Sequence, residues 1–194
     1  MPRRLALAAT IAALIAGCGG GDDGAPPPRP VEKADAEAKL PPGWRTEVNR
    51  QAGFTIGVPP VWKAEVANGI STQLTSPDKQ VAIRVSADRT DEALELPLDR
   101  NATDTANGLA GFGDLQVIDG PAPYRHRYEG VSVEAKGTLT ATGVPELLEV
   151  IVLRRDQLSV FPILVEQRSG NHSVFAEQID PIVRSLRGRP VSVP

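Results

Sequence analysis

The chain has 194 residues, with 21 basic against 24 acidic side chains, a net charge of −3, two histidines and a single cysteine. An acidic balance argues against nucleic acid and anionic headgroups as partners, since surfaces that hold phosphate are built from a cationic excess. One cysteine excludes an internal disulfide framework and a multi-cysteine metal cluster.

In chain order, Arg3 and Arg4 form a basic n-region, and the 12 residues from Leu5 to Ala16 form an apolar core ending in small residues. This is the pattern of a secretory signal peptide. A spanning helix needs roughly 20 apolar residues, and Gly, Asp and Pro follow this run, so it is expected to be removed. Ile15-Ala16-Gly17-Cys18 resembles the bacterial lipobox. That resemblance implies cleavage before Cys18, a diacylglycerol thioether on its sulfur and a further acyl chain, such as palmitate, on the new amino terminus. Two such signals are enough for stable anchoring, so the expectation is a lipoprotein held on the extracytoplasmic face of the cell membrane. Once acylated, Cys18 offers no thiol for catalysis, metal or disulfide. Loss of Arg3 and Arg4 with the leader leaves 19 basic against 24 acidic residues, a net of −5.

From Gly19 to Pro42 the sequence is dominated by Gly, Pro, Ala, Asp, Glu and Lys and has no aromatic residue, a composition that does not bury enough surface to fold alone. The organisation expected is a signal peptide at 1–17, the lipidated Cys18 with a flexible tether at 18–42, one domain at 43–189 and a short tail at 190–194.

Within the domain, Trp44 to Asn49 and Phe54 to Val58 flank a turn at Arg50 to Gly53 and read as a hairpin. Trp62 to Val66 reads as a continuation of the same sheet. Ile70 to Thr75 and Gln80 to Ala87 alternate around Ser76-Pro77-Asp78-Lys79, a second hairpin with proline at the second turn position. Between Pro97 and Leu109 the period changes: Leu98, Ala102, Thr105, Ala106 and Leu109 share a helical face, with Pro97 at the first turn. On its polar side Asp99, Asn101, Thr103 and Asp104 follow a calcium loop only in part. Asp104 stands at the glycine position and Ala110 at the closing glutamate, so no calcium site is read. Gly108, Gly111 and Gly113 read as a helix exit.

Strand patterns return at Leu115 to Ile118, Tyr124 to Val133, Lys136 to Thr142, Leu147 to Arg154 and Leu158 to Gln167, with turns at Asp119-Gly120-Pro121 and Asp156-Gln157. The continuous apolar run from Leu147 to Leu153 predicts a central strand covered on both faces. Pro162 predicts a bulge or an edge position in its neighbour. After Ser169-Gly170-Asn171, the residues Phe175, Ile179, Ile182, Val183 and Leu186 predict a closing amphipathic helix capped by Ser173 and kinked at Pro181. The fold class expected is α+β around a mostly antiparallel sheet, with one central and one C-terminal helix.

Gly53-Phe54-Thr55-Ile56-Gly57-Val58-Pro59-Pro60-Val61-Trp62 resembles the Gly-Phe-x-Ile-x-x-Pro-x-x-Trp opening of PsbP-like domains, a superfamily that includes LpqN-type actinobacterial lipoproteins and a nuclear-import factor that binds the GTPase Ran. The resemblance implies an α/β/α sandwich around an antiparallel sheet and a role in binding, with no shared catalytic constellation to carry over. The chain departs from the pattern at Pro60 and Val61, where a Pro-x-Gly-Trp turn is common, and at Pro181 in the last helix.

Signatures of catalysis are weak. His126 and His172 are not in a metal-ligand spacing, Ser132 lacks the second glycine of a nucleophile elbow, and no Walker or dinucleotide fingerprint occurs. No cofactor and no metal site is read. Glu146 and Glu149 are paired carboxylates of the kind that do acid-base work, or the solvated ends of an apolar strand. Tyr124-Arg125-His126-Arg127-Tyr128 is the densest aromatic and basic cluster of the domain. Read as a strand, it places Tyr124, His126 and Tyr128 on one face and Arg125 and Arg127 on the other. The aromatics then either line a ligand groove or pack beneath a helix. The function expected is a non-catalytic binding or accessory module for an envelope protein or an amphiphilic ligand; the alternative is an envelope hydrolase with an unrecognised site.

Anchor and core share no residues in this reading. Cys18→Ser is therefore expected to abolish incorporation of a fatty-acid probe and membrane retention while leaving the domain folded. Unchanged label and membrane fraction would overturn the lipoprotein reading.

Overall fold

The computed structural model describes residues 34–67, 69–157, 159–168 and 173–191. The leader, Cys18, the first part of the tether and His172 lie outside the described residues. Everything below concerns the unit Glu32–Pro194.

The elements are β1 (Arg45–Asn49), β2 (Phe54–Val58), β3 (Lys63–Ala67), β4 (Ser71–Thr75), β5 (Val81–Ser86), α1 (Asp91–Glu95), α2 (Leu98–Asn107), β6 (Phe112–Pro123), β7 (Glu129–Leu139), β8 (Val144–Arg154), β9 (Val160–Arg168), a 3-10 turn at Ala176–Gln178, α3 (Ile179–Arg184) and β10 (Arg187–Gly188). A seven-stranded sheet has the order β3-β4-β5-β9-β8-β7-β6, and a small sheet has the order β1-β2-β10. Every strand pair is antiparallel.

Side chains alternate between the faces of a strand, so the large sheet presents two apolar surfaces. On one, Val133, Ala135, Leu148, Val150 and Val152 are covered by Leu98, Ala102 and Ala106 of α2. On the other, Ile83, Val85, Ile151, Leu153, Phe161 and Ile163 are covered by Phe54, Ile56 and Val58 of β2, by Trp62, and by Ile179, Ile182 and Leu186 around α3. The result is the α+β architecture expected, with a helix on either side of an antiparallel sheet; the second outer layer is shared between α3 and the small sheet. No helix among the described residues is long and apolar enough to cross a membrane.

Both early hairpins form as read. The turn before β2 depends on Gly53, whose φ of +69° is left-handed and where a Cβ would meet the carbonyl oxygen of Arg189 at 2.7 Å. Several expectations are corrected. β3 opens the large sheet instead of continuing the first hairpin. The stretches read as separate strands at Tyr124 to Val133 and Lys136 to Thr142 resolve into the single strand β7, and residues 124–128 form a loop before it. Asp119-Gly120-Pro121 is an irregular part of β6 instead of a turn. Its register on β7 shifts between Asp119 and Ala122, which an outermost strand accommodates because one side needs no partner.

Pro162 lies in the fourth of seven strands and pairs in register with Val152, so it marks neither an edge nor a bulge against β8. Val160 exchanges both backbone hydrogen bonds with Asp88, and two residues further on the same side of the strand turns toward β5. The missing N–H of Pro162 thus faces the place where β5 ends at Ser86, and the Ser86 hydroxyl donates to the Pro162 carbonyl at 3.4 Å.

The closing helix is also shorter than expected. Pro181 lies in the first turn of α3, where backbone N–H groups have no intrahelical partner, so the chain needs no kink. Ser173 caps no helix; its hydroxyl accepts from the Phe175 N–H at 3.1 Å and donates to Asp78 at 2.8 Å. α1 and β10 are too short to show a period in the sequence.

Phe54 is fully buried and meets Phe161 edge-to-face at 6.2 Å, while Trp62, 2% exposed, donates its indole N–H to Gln178 at 2.8 Å. Phe54→Ala and Trp62→Ala are each expected to cost about 3 to 5 kcal/mol, read as a fall in the denaturant midpoint. A change of only a few tenths of a kcal/mol, the range of surface substitutions, would overturn this placement.

Candidate binding site

The loop Tyr124 to Tyr128 joins β6 to β7, and its burial alternates as a strand would: Tyr124, His126 and Tyr128 are half-buried, Arg125 and Arg127 exposed. The two tyrosine rings pack against the core beneath α3 and the small sheet, with Tyr128 stacked on Phe161 at 6.1 Å. The aromatics therefore pack, and the arginines face solvent. The loop is held at both ends. Tyr124 donates to Asp180 of α3 at 2.9 Å, and the Tyr128 N–H donates to His126 Nδ1 at 3.1 Å.

Around His126 the charge is positive. Burial, followed by the fields of Arg187, Arg127 and Arg184, brings its pKa down to about 4, so the ring is neutral at pH 7. Its ring lies 4.9 Å from that of Tyr128, and the Arg127 guanidinium lies 5.7 Å from the Tyr128 centroid. Arg187 is partly buried, and Arg127 beside it disfavours its charged form further. Its Nε is buried without a hydrogen-bond partner among the described residues, although Nη1 donates to the carbonyls of Arg184 and Leu186 at 2.8 and 2.6 Å. Of the residues singled out from sequence, this loop is brought together as one surface, and α3 and β10 add Arg184 and Arg187 to it.

A second feature adjoins it. Residues 34–40 are the described part of the stretch read from sequence as a tether, and within them Asp35, Glu37 and Leu40 meet the domain. The Asp35 N–H donates to the Gly188 carbonyl at 3.0 Å, alongside β10. Its carboxylate Oδ2 accepts from the Gly188 N–H at 3.2 Å and from the Tyr128 hydroxyl, and lies 3.2 Å from Arg155 Nε. The Tyr128 hydroxyl in turn accepts from the Gly188 N–H at 2.8 Å. Burial and Asp35 push the Tyr128 phenol up to about 12. Glu37 pairs with Arg189 at 3.1 Å. Gly188 is necessary here, since a Cβ at that position would lie 2.4 Å from Arg155 Cδ.

Glu146 and Glu149, weighed as an acid-base pair, point to opposite faces of β8. Glu146 faces the α2 side with Leu148, and Glu149 faces the α3 side with Ile151, where it senses Asp180. The carboxylate that does neighbour Glu146 is Glu166 of β9. Together with Lys79, Arg168 and others they line a groove of about 210 Å³. Burial raises the pKa of both carboxyls. No group of three or more His, Cys, Asp or Glu side chains suited to a metal ion occurs among the described residues.

The depressed pKa of His126 has a consequence for stability. Its folded value of about 4 lies below the ordinary 6.5, so the unfolded chain binds the proton more readily and stability is lost as pH falls from about 6.5 toward 4. His126→Asn keeps an acceptor for the Tyr128 N–H and removes the titration. The difference in stability between wild type and this variant, followed by urea unfolding, is expected to shift in the variant's favour across that window and to be flat above pH 7.

Neither a scan of family models nor a search of curated proteins gives a match. Similar solved structures include a protein from Bacteroides thetaiotaomicron with a TM-score of 0.54 and 11% identity, over 76% of this chain and 49% of that one, so this chain spans about half its length. They also include the Ran-binding protein Mog1p of Saccharomyces cerevisiae, with a TM-score of 0.48 and 10% identity over 74% and 94% of the two chains. A third is a protein of unknown function from Pseudomonas aeruginosa, with a TM-score of 0.41 and 14% identity over 76% and 99%. At such identities the likeness is one of fold alone.

Proposed function

We propose that this chain is a non-catalytic binding module, anchored through lipid on Cys18 at the extracytoplasmic face of the cell membrane, that captures an envelope protein or an amphiphilic ligand by its anionic groups. The observation that supports this reading is the gathering of Arg127, Arg184 and Arg187 around a neutral His126, in a chain whose net charge is −3. Arg184 already pairs with Asp180 at 2.9 Å, while Arg127 and Arg187 repel one another, and a carboxylate or phosphate seated between them relieves that repulsion while accepting paired hydrogen bonds. Tyr124 and Tyr128 hold the loop in place; Arg125 and Arg127 are the side chains offered to a partner.

The rival reading, an envelope hydrolase, draws on Glu146 and Glu166, two neighbouring carboxyls with raised pKa values beside a groove. The two separate by experiment: saturable capture without turnover supports binding, whereas turnover abolished by Glu146→Gln or Glu166→Gln supports hydrolysis.

The double substitution Arg125→Ala with Arg127→Ala is expected to weaken capture of a partner recovered from the envelope by crosslinking to the native lipoprotein roughly tenfold, about 1.4 kcal/mol. Exposed arginines add little to stability, so the melting temperature should move by no more than about 2 °C. Undiminished capture by the folded variant would place the binding surface elsewhere.

A further inference from the structure

Asp35 holds an N-terminal strap, residues 34–37, to the fold, and its surroundings are those of a receptor for a carboxylate. Three donors converge on one oxygen: the Arg155 guanidinium at 3.2 Å, the Gly188 N–H at 3.2 Å and the Tyr128 hydroxyl. The Arg155 side chain is only 7% exposed, so the cation is fixed by the fold. Gly188 keeps the approach open, because any side chain there would collide with Arg155.

The strap makes one main-chain bond to the free edge of β10. β10 is the outermost strand of the small sheet, and the Asp35 N–H bonds to the Gly188 carbonyl on its free side. Main-chain bonding of this kind accepts any extended segment, and specificity comes from alternate side chains. Those are Asp35 on Arg155 and, two residues on, Glu37 on Arg189 at 3.1 Å.

We propose that the free side of β10, with Arg155, Tyr128, Gly188 and Arg189, is a receptor site for an extended acidic peptide carrying two carboxylates two residues apart, and that residues 34–37 occupy it in cis. A covalently linked segment is present at an effective concentration in the millimolar range, so a peptide in trans binds only when the strap is weakened or outcompeted. The site is therefore closed by the chain's own N-terminal segment and opens to a competing acidic segment of a partner. It adjoins the surface of Arg125 and Arg127 but does not use it, so either reading can fail alone.

The test uses the full chain with Cys18→Ser, and a fluorescent peptide of sequence Val31 to Leu40. A variant that also carries Asp35→Ala and Glu37→Ala is expected to bind the peptide saturably by anisotropy, at least tenfold more tightly than the chain with its native strap. A peptide with alanine in place of both carboxylates is expected to compete at least tenfold less well. Equal binding by both chains, or equal competition by both peptides, overturns the proposal, as does failure of the folded variant to bind. Hydrogen exchange on the chain with its native strap covers the case in which the variant unfolds. Excess peptide should speed exchange at residues 34–40, and unchanged exchange at millimolar peptide overturns the proposal. A dimer of that chain dissolved by the peptide would show the site filled by a second copy and overturn the cis assignment.

Discussion

β8 and β9 carry apolar side chains on both faces, and a sheet covered on one side only would leave either Val150 and Val152 or Ile151 and Leu153 in water. At about 25 cal/mol per Å² of apolar surface, exposing either row would remove a large part of the marginal stability of a domain this size. Two covering layers are therefore required. α2 supplies one; the other is assembled from distant pieces of chain, β2 with Trp62 near the start and α3 near the end. The small sheet exists to complete that cover, and β10 ties the end of the chain to β2.

The candidate site grows from the same layer. Phe54 meets Phe161, Phe161 stacks on Tyr128, and the Tyr128 hydroxyl reaches Asp35 and Gly188. A ring that belongs to the core at one end and to a polar network at the other suits tyrosine, whose apolar body and polar tip are satisfied separately. The position of the loop is thus set by packing, while its chemistry is set by the charges around it. Asp180 illustrates the economy of this arrangement, because it accepts from Tyr124 and from Arg184 at once.

Basic and acidic side chains are interleaved on both faces of the large sheet. On the α2 face Glu146 and Glu166 share their groove with Lys79 and Arg168, and on the α3 side Arg127, Arg184 and Arg187 gather near His126 with Asp180 and Glu149 close by. A net charge averages over such neighbourhoods, so it bears on the partner class of the molecule as a whole and says little about a local group of arginines.

Local patterns in the sequence determined the two early hairpins, the helix after Pro97, the strand Leu147 to Leu153 and the alternating burial of Tyr124 to Tyr128, because each depends on neighbours within a few residues. The spacing of Glu146 and Glu149 is odd, which on a strand puts them on opposite faces, so the pairing considered from sequence does not form. Only the tertiary structure decided that Tyr124 to Tyr128 is a loop: alternation reports which side chains are covered, and the cover here comes from α3 and the small sheet instead of ladder partners. It alone placed Pro162 in the middle of a sheet, harmlessly, because its nitrogen faces the end of a shorter neighbour. It alone brought Asp35 to Arg155 and Gly188. A single aspartate in a polar, aromatic-free stretch carries no sign of its partner when that partner lies at the far end of the chain, and the bond forms only once the core has closed around both.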